Sequence, residues 1–468
     1  MNLLRVAFRN VFRNRRRSMI TMAAILIGTV AVLLVGAMIS FITLDFQSAV
    51  IRRNGHLTVY KNGYFEFGAG NSAAYGIADY EAVLAVVRND PVLRPLTRLA
   101  TPVQEVLGLA GNYQANRSKP FFGEGIVPKD HVEMARWDDF GLHTAGSPKA
   151  ELPADPQSGV LGFGLGRILG LCEPLHIPNC HAAPTEDPVK ATSGTAEPQI
   201  QSITALQEQD AGEGRDATQD SPHRPRIDLL AATAGGAPNV VSLNVDHAEF
   251  QGSKTVDDNF AMMHLELAQQ LVYGRGEHKV TAIVLQLHHS ASMPVARARL
   301  QQIFAAHGLP LEVRDFAELT PLYPQVLAFF AFLFSFVVIV LATIVLFTVV
   351  NTMSMVVMER VDEIGTVRAL GLQRSSIRWQ FLLEGCLLGA LGATAGVAVA
   401  CGIALGVNSS ELTWSPPTAG GQVPLKLLIS GTLAAGTWLV LVLLASVASL
   451  LPANRAARMN IVDALRHV

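Results

Sequence analysis

The feature that most constrains the fold is a run of 27 residues without a charged side chain, residues 18–44. A helix needs about 20 apolar residues to cross a hydrocarbon layer about 30 Å thick. Three further runs are long enough, residues 326–357, 379–407 and 427–451. Hydrophobic residues make up 50% of the chain and charged residues only 16%, a balance typical of membrane proteins. The sequence therefore predicts an α-helical membrane protein with four transmembrane helices.

The first run is longer than a bilayer requires, because 27 helical residues extend about 40 Å. We infer that its outer end, together with the first turns of the second run, projects from the membrane as a stalk. The stalk would carry the large region between the two runs. A helix broken near Gly36 would exclude this hypothesis.

Arginines flank the apolar runs at both ends of the chain. They are Arg5, Arg9, Arg13, Arg15, Arg16 and Arg17 before the first run, and Arg455, Arg458 and Arg466 after the last. Basic residues mark the cytoplasmic side, so we expect residues 1–17 to be a cytoplasmic amphipathic segment and residues 452–468 a cytoplasmic tail. A cleaved signal peptide is the alternative for the N-terminus, but the apolar run is too long and no clear cleavage site closes it. The net charge of −2 gives no indication of nucleic acid binding.

This orientation places residues 45–325 in one extracytoplasmic region and residues 408–426 in a short outer loop. The residue patterns predict a strand at 55–60, a helix at 257–272, a strand at 280–287, a helix at 294–307 and a strand at 311–316. That order predicts a large α+β domain. Residues 181–226 are rich in small and polar residues and lack periodicity, so they are predicted to be a mobile insert.

The segment between the second and third runs, residues 358–378, is short and charged. Its apolar residues recur at roughly helical spacing, and they are Val361, Ile364, Val367, Leu370 and Leu372. Charged residues stand between them, and Gly371 is placed to end a helix. The pattern predicts an amphipathic helix held at a membrane surface. An ordinary solvated loop is the alternative, since most charge runs are solvated.

Four stretches carry a resemblance to a known family. They are RVAFRNVFRNRRRS with the span that follows it, ERVDEIGTVRALG, FLLEGCLLGALGATAG and PANRAARMNIVDALR, in that order. In these stretches the chain resembles the FtsX-like (MacB/Lol-type) family of ABC transporter permeases. The large domain matches only in outline. The resemblance implies a bacterial inner-membrane protein with a periplasmic α+β domain.

The resemblance also implies a mechanism called mechanotransmission. A cytoplasmic ABC ATPase, which binds ATP and Mg, would grip residues 358–378 and pass its closing and opening along the first and second helices to the periplasmic domain. The permease would work as a homodimer or as a heterodimer with a related permease. A periplasmic adaptor or substrate protein is a further expected partner.

Energy is expected to come from a separate subunit, because the chain lacks a phosphate-binding loop. No Gly-Lys dipeptide occurs, and the nearest approach, Gly252, Ser253, Lys254 and Thr255, lacks both glycines of the motif. Neither a G-x-S-x-G elbow nor an H-E-x-x-H pair is present. The chain is therefore expected not to be an enzyme and to carry no catalytic residue.

Charged residues in and beside the segment 358–378 are the candidates for the ATPase contact. They are Glu359, Arg360, Asp362, Glu363, Arg368 and Arg374. Such side chains can pair across a transient interface and separate in each cycle. In the alternative interpretation, Glu363 and Arg368 pair only with neighbours or lipid headgroups.

The third run contains glycines at a spacing that lets two helices approach closely. They are Gly385 with Gly389, Gly392 with Gly396, and Gly402 with Gly406. The pattern predicts helix packing, either within the chain or across a dimer. Glu384 stands beside this stripe near the predicted cytoplasmic end of the run, where we expect an interfacial or capping role.

Two cysteines of the predicted outer region, Cys172 and Cys180, are close in sequence. An oxidising compartment would favour a disulfide between them. A metal site that adds His176 and His181 is a weaker alternative, and unpaired thiols are a third, so no metal is expected.

The sequence does not identify the cargo. A lipoprotein, a lipid or another hydrophobic compound is one possibility, with export through an adaptor as a variant. In a different class of function, the complex would transport nothing and would mechanically switch a periplasmic partner such as a cell-wall hydrolase.

Overall fold

The computed structural model describes residues 8–9, 15–68, 72–142, 152–178, 180, 224–233, 235–371, 373–410, 412–414 and 423–458. Outside these ranges lie residues 181–223 of the predicted insert, residues 1–7 and 10–14 of the predicted N-terminal segment, residues 415–422 of the predicted outer loop and residues 459–468 of the predicted tail.

The α-helices of the described residues are, in chain order, α1 (Arg15–Asn54), α2 (Tyr64–Phe67), α3 (Tyr80–Asn89), α4 (Pro128–Ala135), α5 (Phe163–Ile168), α6 (Lys254–Asp257), α7 (Leu265–Tyr273), α8 (Met293–Ala306), α9 (Phe316–Leu319), α10 (Leu322–Glu359), α11 (Val361–Ala369), α12 (Arg374–Ser409) and α13 (Gly431–Arg458). The strands are β1 (Leu57–Lys61), β2 (Thr97–Asn112), β3 (Arg117–Ile126), β4 (Ser158–Gly162), β5 (Arg226–Ala232), β6 (Pro238–Glu249), β7 (Phe260–His264), β8 (Ala282–Leu287), β9 (Leu311–Asp315), β10 (Thr413–Trp414) and β11 (Val423–Pro424).

Four helices of the described part, α1, α10, α12 and α13, are long and apolar enough to cross a membrane, judged by length and composition. They form a bundle in which α1 and α13 both pack against α10 and α12. The helix in the fourth predicted run has different bounds from the run itself. Residues 427–430 precede α13, because the Ser430 hydroxyl accepts a hydrogen bond from the Leu433 N–H at 3.2 Å and so begins the helix. The same helix continues past residue 451 to Arg458.

Helix α1 is continuous over 40 residues, a length of about 60 Å. It is not broken at Gly36, as the stalk hypothesis requires. A Cβ at Gly36 would lie 3.1 Å from side-chain atoms of both Phe334 and Leu433. Gly36 therefore serves close packing of α1 against α10 and α13 rather than a bend.

The domain between α1 and α10 begins with an antiparallel layer. Gly55, with φ +68°, turns the chain from α1 into β1. Strand β1 pairs with β8 and β9, and β8 pairs with the first half of β2. Helices α3 and α8 cover one face of this layer and form a core with it, including Val87, Leu285 and Leu300.

The long strand β2 continues into a second part of the sheet. There the strand order β3-β7-β4-β6-β5-β2 closes on itself, because β2 also pairs with β3. Helix α7 packs its buried face, with Leu267 and Leu271, into the apolar core of this closed sheet. The architecture is α+β, as predicted.

One predicted helix is wrong over its first half. Residues 257–272 were expected to be one helix, but Phe260–His264 is strand β7 and only Leu265–Tyr273 is helical. Strand β7 lies between β3 and β4, whose backbones bond to both of its edges. A short apolar run fits a buried strand as well as a helix, and only these partners decide between them.

The glycine stripe of α12 packs within the chain. A Cβ at Gly385 would lie 2.7 Å from Ser449 Cβ, and one at Gly389 2.9 Å from Ala445 Cβ, both on α13. The next pair of glycines, Gly392 and Gly396, faces α1. A Cβ at Gly392 would approach Ile25 Cβ to 3.0 Å, and one at Gly396 would approach Thr29 Cβ to 2.5 Å. At Gly402 and Gly406 an added Cβ would meet nothing within 4 Å.

We expect Gly396→Ala to destabilise the protein by about 1–3 kcal/mol, since the new methyl group would force α12 away from α1. Gly402→Ala is the matched control on the same helix. It should be neutral or stabilise by up to about 1 kcal/mol, because alanine favours helix and has free space there. The free energy of unfolding in mild detergent measures both, and equal effects would contradict the packing described here.

The junction between α1 and the domain is built on a buried histidine. His56 is fully buried; its Nδ1 accepts a hydrogen bond from the Leu287 N–H at 3.1 Å, and its Nε2 lies 3.2 Å from Ser290 Oγ. The Trp137 ring meets it edge-on at 5.0 Å. Burial lowers the pKa of His56 to about 4, although Asp139 opposes the shift. The junction therefore requires a neutral imidazole.

This requirement predicts a loss of stability in acid. Unfolded chains take up the proton near pH 6.5 but the native junction only near pH 4. The stabilising contribution, about 3 kcal/mol, is thus present above pH 6.5 and is lost as the pH falls from 6.5 to 4. His56→Gln should flatten the pH dependence of the unfolding temperature, whereas His278→Gln, at an exposed position, should leave it unchanged. A wild-type pH profile in His56→Gln would refute this assignment.

Candidate coupling site at the end of the bundle

Helix α11 is a short helix between two long ones. Arg360 alone separates it from α10, and its φ of −111° and ψ of 20° break the helix there. Gly371, with φ +95°, follows the last turn, as predicted. The chain thus turns sharply on both sides of α11 before α12 begins.

The apolar residues of α11 divide between two sides of the helix. Val361 is buried and Ile364 packs on an apolar cluster at the bundle end, whereas Val367 and Leu370 are 40% and 88% exposed. That cluster consists of Val357, Ile377, Phe381, Ala453, Ala456 and Ala457. The apolar residues of this helix therefore do not form one continuous buried face. At 3.6 residues per turn, Val367 and Leu370 lie about 240° and 180° around the helix from Val361. Leu372 lies outside the described residues.

A buried ion pair holds the corner between α10 and α11. Arg360 Nη1 lies 3.5 Å from Glu384 Oε1 on α12, and the two side chains are only 10% and 5% exposed. Arg360 is therefore mostly buried in this chain, and its predicted contact with the ATPase stays a prediction. Glu384, for which an interfacial or capping role was expected, pairs with Arg360 at this corner. An apolar region requires such a pair, since either charge alone would be costly to bury.

A second ion pair ties the end of α10 to the start of α1. Glu359 pairs with Arg17, and both side chains are partly exposed. Together, the two pairs connect the entry to α11 with both α1 and α12. Movement of α11 would therefore act on two long helices at once.

The remaining charged candidates lie on or beside α11. Asp362 and Glu363 are exposed in its first turn, where carboxylates suit the helix dipole. Arg368 is half-buried in the last turn, and Arg374 is exposed at the start of α12. Glu363 and Arg368 each have an interaction partner in the chain.

Exposed apolar residues form part of the site that the sequence analysis did not assign. Glu363, Val367 and Leu370 are spaced four and three residues apart, so they share one exposed face of α11. We call this face the coupling surface. Met358 and Trp379, on the adjoining helix ends, are 69% and 58% exposed. The helical angle between Val361 and Leu370 could have revealed this face.

The cysteines lie elsewhere, in the large domain. The structure bonds Cys172 to Cys180, with 5.8 Å between their Cα atoms. The His176 Nδ1 lies 2.8 Å from the Glu173 carbonyl oxygen, and His181 is outside the described residues. In the described ranges, no group of three or more His, Cys, Asp or Glu side chains is placed to hold a metal ion.

We expect Glu384→Gln to destabilise the protein by about 3–5 kcal/mol, because it leaves the Arg360 guanidinium buried without a counter-charge. Replacing both partners by methionine should restore most of the lost stability, since two apolar side chains leave no buried charge. Glu363→Gln on exposed α11 is the control and should change stability by less than about 0.5 kcal/mol. Chemical unfolding in detergent distinguishes these results; a Glu384→Gln effect as small as that of Glu363→Gln would disprove the buried pair.

Much of the coupling site lies in a part of the chain that matches a known family model. Residues 329–461 match the family model described as FtsX-like permease C-terminal. The match runs from α10 through α11 and α12 to the end of α13, so it includes the coupling surface and the Arg360–Glu384 pair but not Arg17.

Individual relatives align over parts of the chain. The ABC transporter permease YtrF of Bacillus subtilis is 32% identical over 126 residues, which cover 25% of this chain and 28% of the relative. The macrolide export ATP-binding/permease protein MacB of Hyphomonas neptunium is 27% identical over 233 residues, 49% of this chain and 34% of the relative. The lipoprotein-releasing system transmembrane protein LolC of Neisseria meningitidis is 27% identical over 175 residues, which cover 37% of this chain and 41% of the relative. In each case the alignment spans less than half of the relative.

Proposed function

We propose that the chain is the transmembrane subunit of an ABC transporter working by mechanotransmission, because residues 329–461 match the family model described as FtsX-like permease C-terminal. A separate cytoplasmic ATPase binds and hydrolyses ATP with Mg. This chain is not itself an enzyme and converts the ATPase movement into work on the outer side of the membrane.

The observation that carries this proposal is the attachment of α11 to the bundle. The ATPase docks on the coupling surface, with Asp362, Glu363, Arg368 and Arg374 as its charged contacts. Its movement reaches α12 through the Arg360–Glu384 pair and α1 through the adjoining Glu359–Arg17 pair. Helix α1 then carries the movement over its 40 unbroken residues to the large domain.

The distribution of arginines supports an orientation in the bacterial inner membrane. Arg15, Arg16 and Arg17 open α1, and Arg455 and Arg458 close α13. The Arg17–Glu359 pair sets the start of α1 beside α11. Because basic residues favour the cytoplasmic side, we place this end of the bundle and both termini in the cytoplasm. The domain between α1 and α10 is then periplasmic, and the start of α10 and the end of α1 form its stalk.

The exposed side chains of α10 favour contact with a second permease subunit, either identical or related. It contributes few residues to the bundle core, and large side chains along it are exposed. These are Phe329, Phe332, Phe336, Ile339 and Phe347. We place the subunit contact on this helix and lipid over the remainder of its surface.

The proposed cargo is a lipoprotein, a lipid or another hydrophobic compound, handed over directly or through a periplasmic adaptor. Two relatives support this range, since one is named as a macrolide export protein and the other as part of a lipoprotein-releasing system. A complex that transports nothing and switches a periplasmic hydrolase is the alternative.

Gentle purification of the tagged chain from its native membranes, followed by mass spectrometry, tests the proposal. An ABC ATPase should accompany the chain. Lipoproteins or an adaptor in the same complex would support transport, whereas a cell-wall hydrolase would favour the mechanical switch. Absence of any ATPase would refute the proposed function.

Leu370→Glu should reduce the co-purified ATPase at least tenfold, because a new charge would be buried in the docking interface. Leu370 is 88% exposed in this chain, so the substitution should leave the fold intact. Leu107→Glu, at a 61% exposed leucine of β2, is the matched control and should retain the ATPase. Quantitative mass spectrometry of both variants provides the measurement, and full retention in Leu370→Glu would exclude the coupling surface as the docking site.

A further inference from the structure

A cavity of about 310 Å³ lies where the long helices meet the large domain. Arg53 and Asn54, at the end of α1, form one wall, and Leu319, just before α10, forms part of another. The opposite wall is the face of β1, β8 and β2 that α3 and α8 do not cover. The volume is at the lower end of the range for small-molecule sites.

One carboxylate and three aromatic rings define the chemistry of this cavity. The Tyr60 hydroxyl donates to Glu105 Oε1 at 3.2 Å, and the Tyr64 hydroxyl donates to Glu105 Oε2 at 2.5 Å. The two tyrosine rings stack at 4.8 Å, and Phe65 meets them edge-on at 4.9 and 5.2 Å. Burial and the nearby Glu124 raise the pKa of Glu105, although the two tyrosines oppose the shift. The protein alone therefore stabilises the ionised carboxylate poorly.

The positive charge in the cavity is already paired. Arg53 Nη2 lies 3.6 Å from Glu124 Oε1, and its guanidinium stacks over the Phe260 ring at 5.0 Å. Within the part of the chain that the structure describes, Glu105 has no cationic partner. Arg53 and Glu124 balance each other, so ionised Glu105 would leave one uncompensated negative charge among these three groups.

We propose that this cavity binds a small organic cation, an ammonium or guanidinium group on an apolar body. The cation would pair with Glu105 beside rings whose π faces attract positive charge. The apolar body would lie against Val103, Met134 and Val284. An anionic ligand would be repelled by Glu105, and a neutral one would leave the carboxylate without a counter-charge.

Three probes of similar shape test the charge preference on the full-length chain in detergent. They are 4-fluorophenethylamine, 4-fluorophenethyl alcohol and 3-(4-fluorophenyl)propionate, observed by fluorine NMR line broadening. The amine should bind at least tenfold more tightly than the alcohol, and the carboxylate should not bind above the micelle background. Equal binding of all three to the unmodified chain would overturn the proposal.

Glu105→Gln keeps the size of the side chain and its capacity for hydrogen bonds but removes the charge. It should abolish the preference for the amine, whereas Glu81→Gln, at an exposed position of α3, should retain it. Val103→Phe would fill the cavity and should remove binding of the amine and alcohol alike. Partitioning into micelles is common to every variant, so an amine preference that survives in Glu105→Gln would also overturn the proposal.

Discussion

The structure depends first on the rule that backbone polar groups in hydrocarbon must be bonded within their own segment. An apolar run of 27 residues must therefore be helical, and α1 extends that helix to 40 residues without a break. Because its hydrogen bonds continue past the apolar run, one rigid element connects the corner at α11 with the large domain. Glycines on α12 allow that helix to pack closely against both α1 and α13. A displacement of α12 would therefore change its contacts with both helices.

One ion pair, Arg360 with Glu384, is almost completely buried at the end of the bundle. The Arg360–Glu384 pair sits at the chain reversal between α10 and α11, where the broken helix alone would give the corner little fixed geometry. A buried pair contributes little net stability compared with apolar packing, but removal of one partner is strongly unfavourable. The pair is thus better explained by positioning than by stability, since it fixes α11 against a particular turn of α12.

Features that depend on neighbouring residues could be predicted from the sequence, whereas features that depend on contacts between distant residues could not. The four apolar helices were predictable because their lengths and lack of charge are local properties, and so was the helix end at Gly371. The role of Arg360 was not, because its partner Glu384 is 24 residues away and both had ordinary alternatives on the surface. Strand β7 was missed because its first four residues, 260–263, are all apolar, and only its pairing with β3 and β4 shows that it is extended. The proposed cavity also required long-range information, since Glu105 lies far in sequence from the two tyrosines that bond it.

The position of that cavity bears on how the two ends of the molecule communicate. Arg53 belongs to α1, so α1 contributes directly to walls that also contain Glu105, and Leu319 ends α9, with two residues between it and α10. Any displacement of α1 along its axis would change the distance between Arg53 and Glu124 and with it the charge balance around Glu105. A ligand held by Glu105 would favour one position of α1, and by thermodynamic reciprocity that position of α1 would favour the ligand to the same extent. The cavity and the coupling surface would then be two ends of one equilibrium, joined by a helix that does not bend.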